Sequence, residues 1–234
     1  MANKTLSENI NQAISDFSGI KQAIIDKGVE VPSGTPTSQY GTKIGEIQSG
    51  GGSGEDFKGV IERTATNLTL PSGLTKIGDY AFFRYKNLVL TMLPNGVTSI
   101  GNSAFDSCTN LALTSLPNGL TSIDTFAFSI CTNLALTSLP NGLTSIGRYA
   151  FQRCTNLALT SLPDTLTDIA DYAFSGCTGL TEITFKVKPN HIYTSIFERC
   201  TNLTTIRVPW AEGEVFGAPF GATNATLIYN YTET

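Results

Sequence analysis

The 234-residue sequence carries 15 lysines and arginines against 19 aspartates and glutamates, for a net charge of −4 and a charged fraction of 15%. So little charge, with no basic block, argues against nucleic acid or an anionic bilayer as partner. No apolar run reaches the roughly 18 residues of a membrane helix, so no membrane insertion is expected.

The chain opens on MANKTLSENINQAISD, which lacks the apolar h-region of a signal peptide. This predicts synthesis in the cytosol without the usual secretory export. Residues 1–48 do not repeat. Ile10, Ala13, Phe17, Ile20 and Ile24 follow a 3-4-3-4 spacing, which predicts an amphipathic helix or a short coiled-coil seam stopped at Lys27-Gly28. VPSGTPTSQ reads as a loop. SQYGTKIGEI reads as a second, shorter helix with Tyr40, Ile44 and Ile47 on one face. Either the two helices bury their stripe against each other, or they form an oligomerisation or docking module. Residues 49–56, SGGGSGED, have the composition of a flexible linker.

From there the sequence repeats. CTNLALTSLPNGLTSI stands at 108–123 and again, unchanged, at 131–146. Cys108, Cys131, Cys154, Cys177 and Cys200 are each 23 residues apart, as are Phe82, Phe105, Phe128, Phe151, Phe174 and Phe197. Ile77 begins a third such series and Leu88 a fourth. A period of this length marks a repeat architecture rather than a disulfide or zinc pattern. Six coils are in register over 74–208. One coil offers about six large apolar side chains at roughly 1.5–3 kcal/mol each. Ordering its backbone costs roughly 1–2 kcal/mol per residue, so coils must stack to be stable. Residues 57–234 are therefore read as a capped solenoid. Residues 57–73 form the N-cap, with NLTLP as a truncated first rung. Residues 209–234 form the C-cap, where Trp210, Phe216 and Phe220 cover the last coil and ATLIYNY adds a final strand.

Within a coil, NLALTSLP reads as a short strand with Leu134, Leu136 and Leu139 inward. NGL reads as a turn, where Asn and Gly accept left-handed conformations. TSI reads as a second extended segment, and Ala-Phe with its flanks as one helical or 3₁₀ turn on the opposite side. TGLTEITF and TNLTTIRV shift their isoleucines by one place, which predicts more regular strands in the last coils.

LTSIGxxAFxxCTNL at 23-residue spacing resembles the BspA-like, or treponemal-type, leucine-rich repeat of bacterial surface proteins. The resemblance implies a leucine-rich-repeat solenoid, mostly β with short helical turns, preceded here by the small α-helical module. IKQAIIDKGVEVPSGTPTSQYGTKIGEI is similar to N-terminal modules of bacteriophage tail and fibre proteins. That similarity implies a virion protein that contacts other virion proteins through residues 1–48. By analogy to fibres it also implies self-association as a trimer. The alternative is a bacterial cell-surface adhesin or interaction module.

Chemistry finds little footing. The single histidine, His191, falls beside Pro189 and Asn190, where other coils turn. There is no Cys-His or Ser-His pairing, no carboxylate pair and no phosphate loop. Neither enzyme activity, nor a cofactor, nor a metal is expected. The cysteines read as buried, reduced core residues, since Tyr85 fills their place in the first coil. Asn110, Asn133, Asn156 and Asn202 read as a series that bonds turn backbone.

Change concentrates in one window. GNSAFDS (101–107), DTFAFSI (124–130) and GRYAFQR (147–153) differ around a fixed Ala-Phe, while the adjoining 16 residues barely change. Large polar and aromatic changes on a rigid scaffold are typical of recognition surfaces. Tyr80, Phe83, Arg84, Phe126, Ile130, Tyr149, Arg153 and Tyr172 are therefore the candidate contact residues. They are expected to form an exposed stripe whose aromatic faces suit a bacterial surface glycan or protein.

Overall fold

The computed structural model describes Leu70 and residues 72–186, 188, 191–192, 195–214 and 219–232. The two helices expected before residue 48, the linker and most of the expected N-cap lie outside these residues. Of the six coils the first five begin at Leu74, Val97, Leu120, Leu143 and Leu166.

The TSI segments build the longer sheet. β1 (Lys76–Ile77), β2 (Ser99–Ile100), β3 (Ser122–Ile123), β4 (Ser145–Ile146), β6 (Asp168–Ile169) and β8 (His191–Ile192) pair in parallel in that order. Each pairing advances 23 residues, from Lys76↔Ser99 to Asp168↔His191. His191 thus lies on a strand opposite Asp168, not in the turn expected for it. The second sheet is shorter, in the order β10 (Thr226–Ile228), β9 (Thr205–Arg207), β7 (Glu182–Phe185) and β5 (Ser161–Leu162). It occupies only the later coils.

That asymmetry corrects the expected strand in NLALTSLP. Leu134, Leu136 and Leu139 are all buried, but Thr137 and Ser138 both face solvent. Two outward residues in a row break the two-residue alternation a strand requires. What remains between successive central coils is a sparse link such as Ala158 N–H to Leu136 O, 3.0 Å. In the last coils Ile183 and Phe185 restore the alternation, and β7 and β9 form.

The Ala-Phe segment is the second correction. No helix occurs among the described residues; the segment is a stack of turns. In the first coil the N–H groups of Tyr80, Phe82 and Arg84 donate forward to Asn102, Ala104 and Asp106 carbonyls at 2.7–2.8 Å. Ala81, Phe83 and Tyr85 donate back to Gly78, Tyr80 and Phe82 within their own coil. Alternate amides thus serve the neighbouring coil and the local turn, and the backbone is satisfied without a helix.

The core is a set of columns. Phe82, Phe105, Phe128, Phe151, Phe174 and Phe197 stack ring over ring at 5.0–5.6 Å with interplanar angles of 1–18°. Phe185, Trp210 and Phe220 close the far end, with Phe185 set edge-on to Phe197 and Trp210.

All five cysteines are unpaired thiols buried in this core. Each Sγ donates to a phenylalanine carbonyl of the preceding coil, from Cys108 on Phe82 O to Cys200 on Phe174 O, at 2.9–3.0 Å. The column is therefore a polar link between coils as well as packing. Burial pushes the Cys108 and Cys200 thiols up to about 12. It raises the inner three well above their usual range, with the neighbouring sulfurs adding to the effect.

A parallel column of hydroxyls runs along the TSI sheet. Thr98, Thr121, Thr144 and Thr167 each donate Oγ1 to the threonine carbonyl one coil earlier at 3.0–3.1 Å. Of the asparagine series, Asn202 Nδ2 donates to Thr178 O at 2.8 Å.

Candidate functional site

The stacked turns impose an unusual backbone on the variable window. Positions 80 and 84 of the first coil, and their equivalents in later coils, adopt φ between 51° and 71°. These are Tyr80, Arg84, Ser103, Ser107, Phe126, Ile130, Tyr149, Arg153, Tyr172, Gly176 and Arg199. In the first coil both left-handed residues are among those whose N–H reaches the next coil, so the inter-coil ladder itself demands this conformation. The left-handed region is free for glycine and tolerable for asparagine or aspartate. For other L-residues it costs roughly 1–2 kcal/mol, and β-branched residues fare worst. Of these eleven positions one holds glycine and none holds asparagine or aspartate.

The left-handed positions were expected in the NGL turns and are absent there. Among the described residues only Gly176, Gly213 and Gly221 are glycines with positive φ. Gly96 serves close approach instead, since a Cβ there would sit 2.9 Å from Leu74 O.

Seven of the eight candidate contact residues occupy left-handed positions, and Phe83 is the exception. The structure does not arrange them as one stripe. Phe126, Tyr149 and Tyr172 stack at 4.9 Å between centroids, with interplanar angles of 11° and 12°. Tyr80 and Phe83 form a separate edge-to-face pair at 5.8 Å, with the Arg84 guanidinium 4.9 Å from the Phe83 centroid. Between the clusters lies the second coil. Its Ser103 is buried, and the Ser107 hydroxyl donates to Asp106 at 2.9 Å. Ile130 and Arg153 fall in the second left-handed column. Arg153 leans toward the next coil, where a Cβ on Gly176 would lie 3.3 Å from Arg153 Cγ.

Stacking changes what the triad offers. The expectation was exposed aromatic faces, but Phe126, Tyr149 and Tyr172 are half-buried because they cover one another. Tyr149 is enclosed on both faces. Of the candidate aromatic residues only Tyr80 is largely free, at 57% exposure.

Arg148 was missed among the candidate residues. Its guanidinium lies 4.9 Å from the Tyr149 centroid and 5.6 Å from that of Tyr172, and it donates to Tyr149 Oη at 3.4 Å. It stands inside the variable window, beside the columns of Ser103 and Ser107 and not in them.

Beside the window runs a groove of about 520 Å³ along the longer sheet. Its lining includes the column Lys76, Ser99, Ser122, Ser145 and Asp168, with Asp79 and Asp124. Among the described residues no cluster of three or more His, Cys, Asp or Glu could hold a metal ion.

Comparison with known proteins agrees with this architecture. The family model for the BspA type leucine rich repeat region (6 copies) matches residues 57–159 and 144–216. The chain is similar to the solved leucine-rich-repeat protein TpLRR of T. pallidum, with 32% identity and a TM-score of 0.51 over 62% of this chain and 69% of that one. It is also similar to a leucine-rich-repeat protein of Bacteroides ovatus, with 29% identity and a TM-score of 0.50 over 57% of this chain. The similarity spans 35% of the Bacteroides protein's own length. No curated protein matches. The family match over most of the chain, joined to six coils held in 23-residue register, makes this protein a member of the BspA type leucine-rich-repeat family.

Proposed function

We propose that this chain recognises a bacterial surface molecule non-covalently through the variable window of its solenoid. The observation that carries the reading is the backbone at Tyr80, Ile130 and Arg153. Each holds a bulky side chain at left-handed φ, where glycine would be free of strain. Ring stacking offsets that cost at Phe126, Tyr149 and Tyr172, but no stacked column includes these three. Backbone strain held at bulky residues, where glycine would relieve it, is of the kind that clusters at functional sites.

Exposed threonines outside the window do not change between the repeats, although tolerance alone would let them drift. For Thr121, Thr144 and Thr167 the hydroxyl ladder gives a structural reason. Thr114, Thr137 and Thr160 are exposed without such a bond in the ladder, and for them the contrast stands.

We place the chain on a phage particle, as a tail-fibre-like or receptor-binding protein. The resemblance of residues 20–47 to tail and fibre modules supports this. A second reading, a bacterial adhesin or interaction module, is favoured by the likeness to TpLRR.

The test uses the full chain with Tyr80, Ile130 and Arg153 all replaced by glycine. This removes the side chains while suiting the backbone. The variant should fold normally and lose binding to host cells. Replacing Thr114, Thr137 and Thr160 by alanine should leave binding intact. Unchanged binding by the glycine variant overturns the reading. Immunogold labelling separates the two settings: label on purified particles supports the phage, and label on bacterial envelopes supports the adhesin.

A further inference from the structure

Successive coils place one residue each in the first left-handed column: Tyr80, Ser103, Phe126, Tyr149 and Tyr172. Their backbones are tied in register. Tyr80 N–H donates to Asn102 O, Ser103 N–H to Thr125 O and Phe126 N–H to Arg148 O, at 2.8–2.9 Å. Every residue of this column but Ser103 carries a ring. From Phe126 onward the rings stack at 4.9 Å from coil to coil. The stack ends at Phe126, whose only ring partner among the described residues is Tyr149. Because the rings lie nearly parallel along the column, the other face of Phe126 is turned toward the second coil.

The column is thus interrupted by one ring. A ring over Ser103 would lie about 4.9 Å from Phe126, the spacing the stack already uses, with Tyr80 on its other side. Ser103 is 5% exposed and forms the floor, while Asn102, Asp106 and Ser107 of the same coil remain half-exposed around it. The far end of the stack has no second wall, since Ser195 and then Ala218 stand one and two periods beyond Tyr172.

The groups around Ser103 are polar and balanced in charge. Asn102 Oδ1 accepts the Ser103 hydroxyl at 2.9 Å, which leaves the amide donors of Asn102 uncommitted. Asp106 N–H donates to Ser103 O at 3.2 Å, and one oxygen of its carboxylate accepts the Ser107 hydroxyl. The second oxygen is uncommitted. Arg84 N–H donates to Asp106 O at 2.7 Å, and its guanidinium rests on the Phe83 ring without an ion pair among the described residues. One cation, one anion and one amide offer donors and acceptors together. A carboxylate or phosphate would meet Asp106, and an ammonium would meet Arg84. An aromatic side chain would desolvate these groups and partner none of them. A sugar ring suits both parts of the gap. Its C–H groups lie on the negative face of an aromatic ring, and its hydroxyls both donate and accept.

We propose that the second coil binds one sugar ring of an uncharged glycan, inserted into the column between Tyr80 and Phe126 over Ser103. The proposal rests on the recognition reading above. It is tested with the full chain on immobilised mannan, galactan and chitin, beside polygalacturonate and a phenylalanine-bearing resin. At least one of the three neutral polysaccharides should retain the chain, and molar salt should change that retention by less than about twofold, since the ligand carries no charge to screen. Retention on none of the three overturns the proposal. Retention on polygalacturonate instead would mean an acidic ligand, and retention on the phenylalanine resin a protein's aromatic side chain.

Ser103→Tyr tests the gap itself. Tyr149 and Tyr172 already hold the required backbone in this column, so a tyrosine at 103 should extend the stack and fill the space. The variant should melt no lower than the unmodified chain and be retained at least about tenfold less. Undiminished retention overturns the proposal. Should the variant melt lower, Arg84→Gln and Asp106→Asn decide: each should weaken retention by about tenfold, with Thr137→Ala as an unaffected control, and unchanged retention in both overturns the proposal. If the triple glycine variant loses host-cell binding while Ser103→Tyr keeps it, the recognition reading survives and the sugar site falls.

Discussion

Replacing Ile130 by glycine puts the strain argument to a quantitative test. Ile130 is half-buried, so deleting its side chain forfeits about half of the 1.5–3 kcal/mol of full burial, or about 1 kcal/mol. Glycine adds roughly 0.5–1 kcal/mol through the greater freedom of the unfolded chain. Taken alone these terms predict a loss of about 2 kcal/mol. The residue, however, sits at φ 58°, and releasing a β-branched side chain from the left-handed region returns roughly 1–2 kcal/mol. The net change should be a loss of no more than about 1 kcal/mol, half or less of the loss expected without relief of strain. Urea denaturation followed by circular dichroism measures it. Ile123→Gly is the contrast: that side chain is fully buried on β3 with no positive φ, and it should lose at least about 3 kcal/mol. A loss of 2 kcal/mol or more at Ile130 would mean that the side chain is held for packing. The main support for a recognition surface would then be gone.

Other outcomes follow from the same columns. Phe128→Ala should cost about 3–5 kcal/mol as a core truncation, because it empties a site stacked on Phe105 and Phe151 at 5.3 and 5.4 Å; an unchanged melting temperature would remove the phenylalanines from the core. Thiol titration should find five slow thiols in the native protein and five fast ones after denaturation without reductant, and fewer than five would reveal disulfides. The thiols also set a pH dependence. Burial raises them in the folded state from an ordinary 9.0, so their contribution is complete below pH 9 and falls as pH climbs toward 12. Each thiol that ionises only on unfolding should cost about 1.4 kcal/mol at one unit above 9; alkaline melts that stay flat to pH 11 would contradict the buried column. Replacing Phe126, Tyr149 and Arg153 together by serine should lower stability by roughly 1–3 kcal/mol, since two stacked pairs are lost. A neutral result would show that the triad contributes no stability.

The solenoid was legible because each coil must fill the same space. Ile77, Phe82 and Leu88 begin series whose spacing survives every surface change, and a periodic core leaves a periodic sequence. The second sheet was legible only where Ile183 and Phe185 alternate. In the central coils the leucines of NLALTSLP look like a strand, and only the paired outward residues Thr137 and Ser138 tell otherwise. The turn stack was hidden more thoroughly. Left-handed positions are recognised by glycine and asparagine, and here tyrosine, phenylalanine, isoleucine and arginine mask them. One trace was present: Gly176 stands in the column of Arg84, Ser107, Ile130 and Arg153. The thiol and hydroxyl ladders were invisible because a buried cysteine and an exposed threonine each have a sufficient local explanation. For the candidate site, the window's position was legible and its orientation was not. Nothing in Phe126, Tyr149 and Tyr172 as letters says that their rings face one another rather than a ligand.

The inter-coil ladders have a bearing on how such a protein changes over generations. Every central coil brings the same thiol, hydroxyl and turn amides to the coil on either side, so any whole number of coils closes equally well. The two identical 16-residue stretches at 108–123 and 131–146 are natural points for misaligned exchange between gene copies. Exchange there deletes or adds one unit of 23 residues. The shortened product keeps both ends of the array, re-forms every ladder and loses about 4.8 Å of length. It also drops one set of window side chains while leaving the others in place. Length and window are thus edited together, in whole units, by a single exchange.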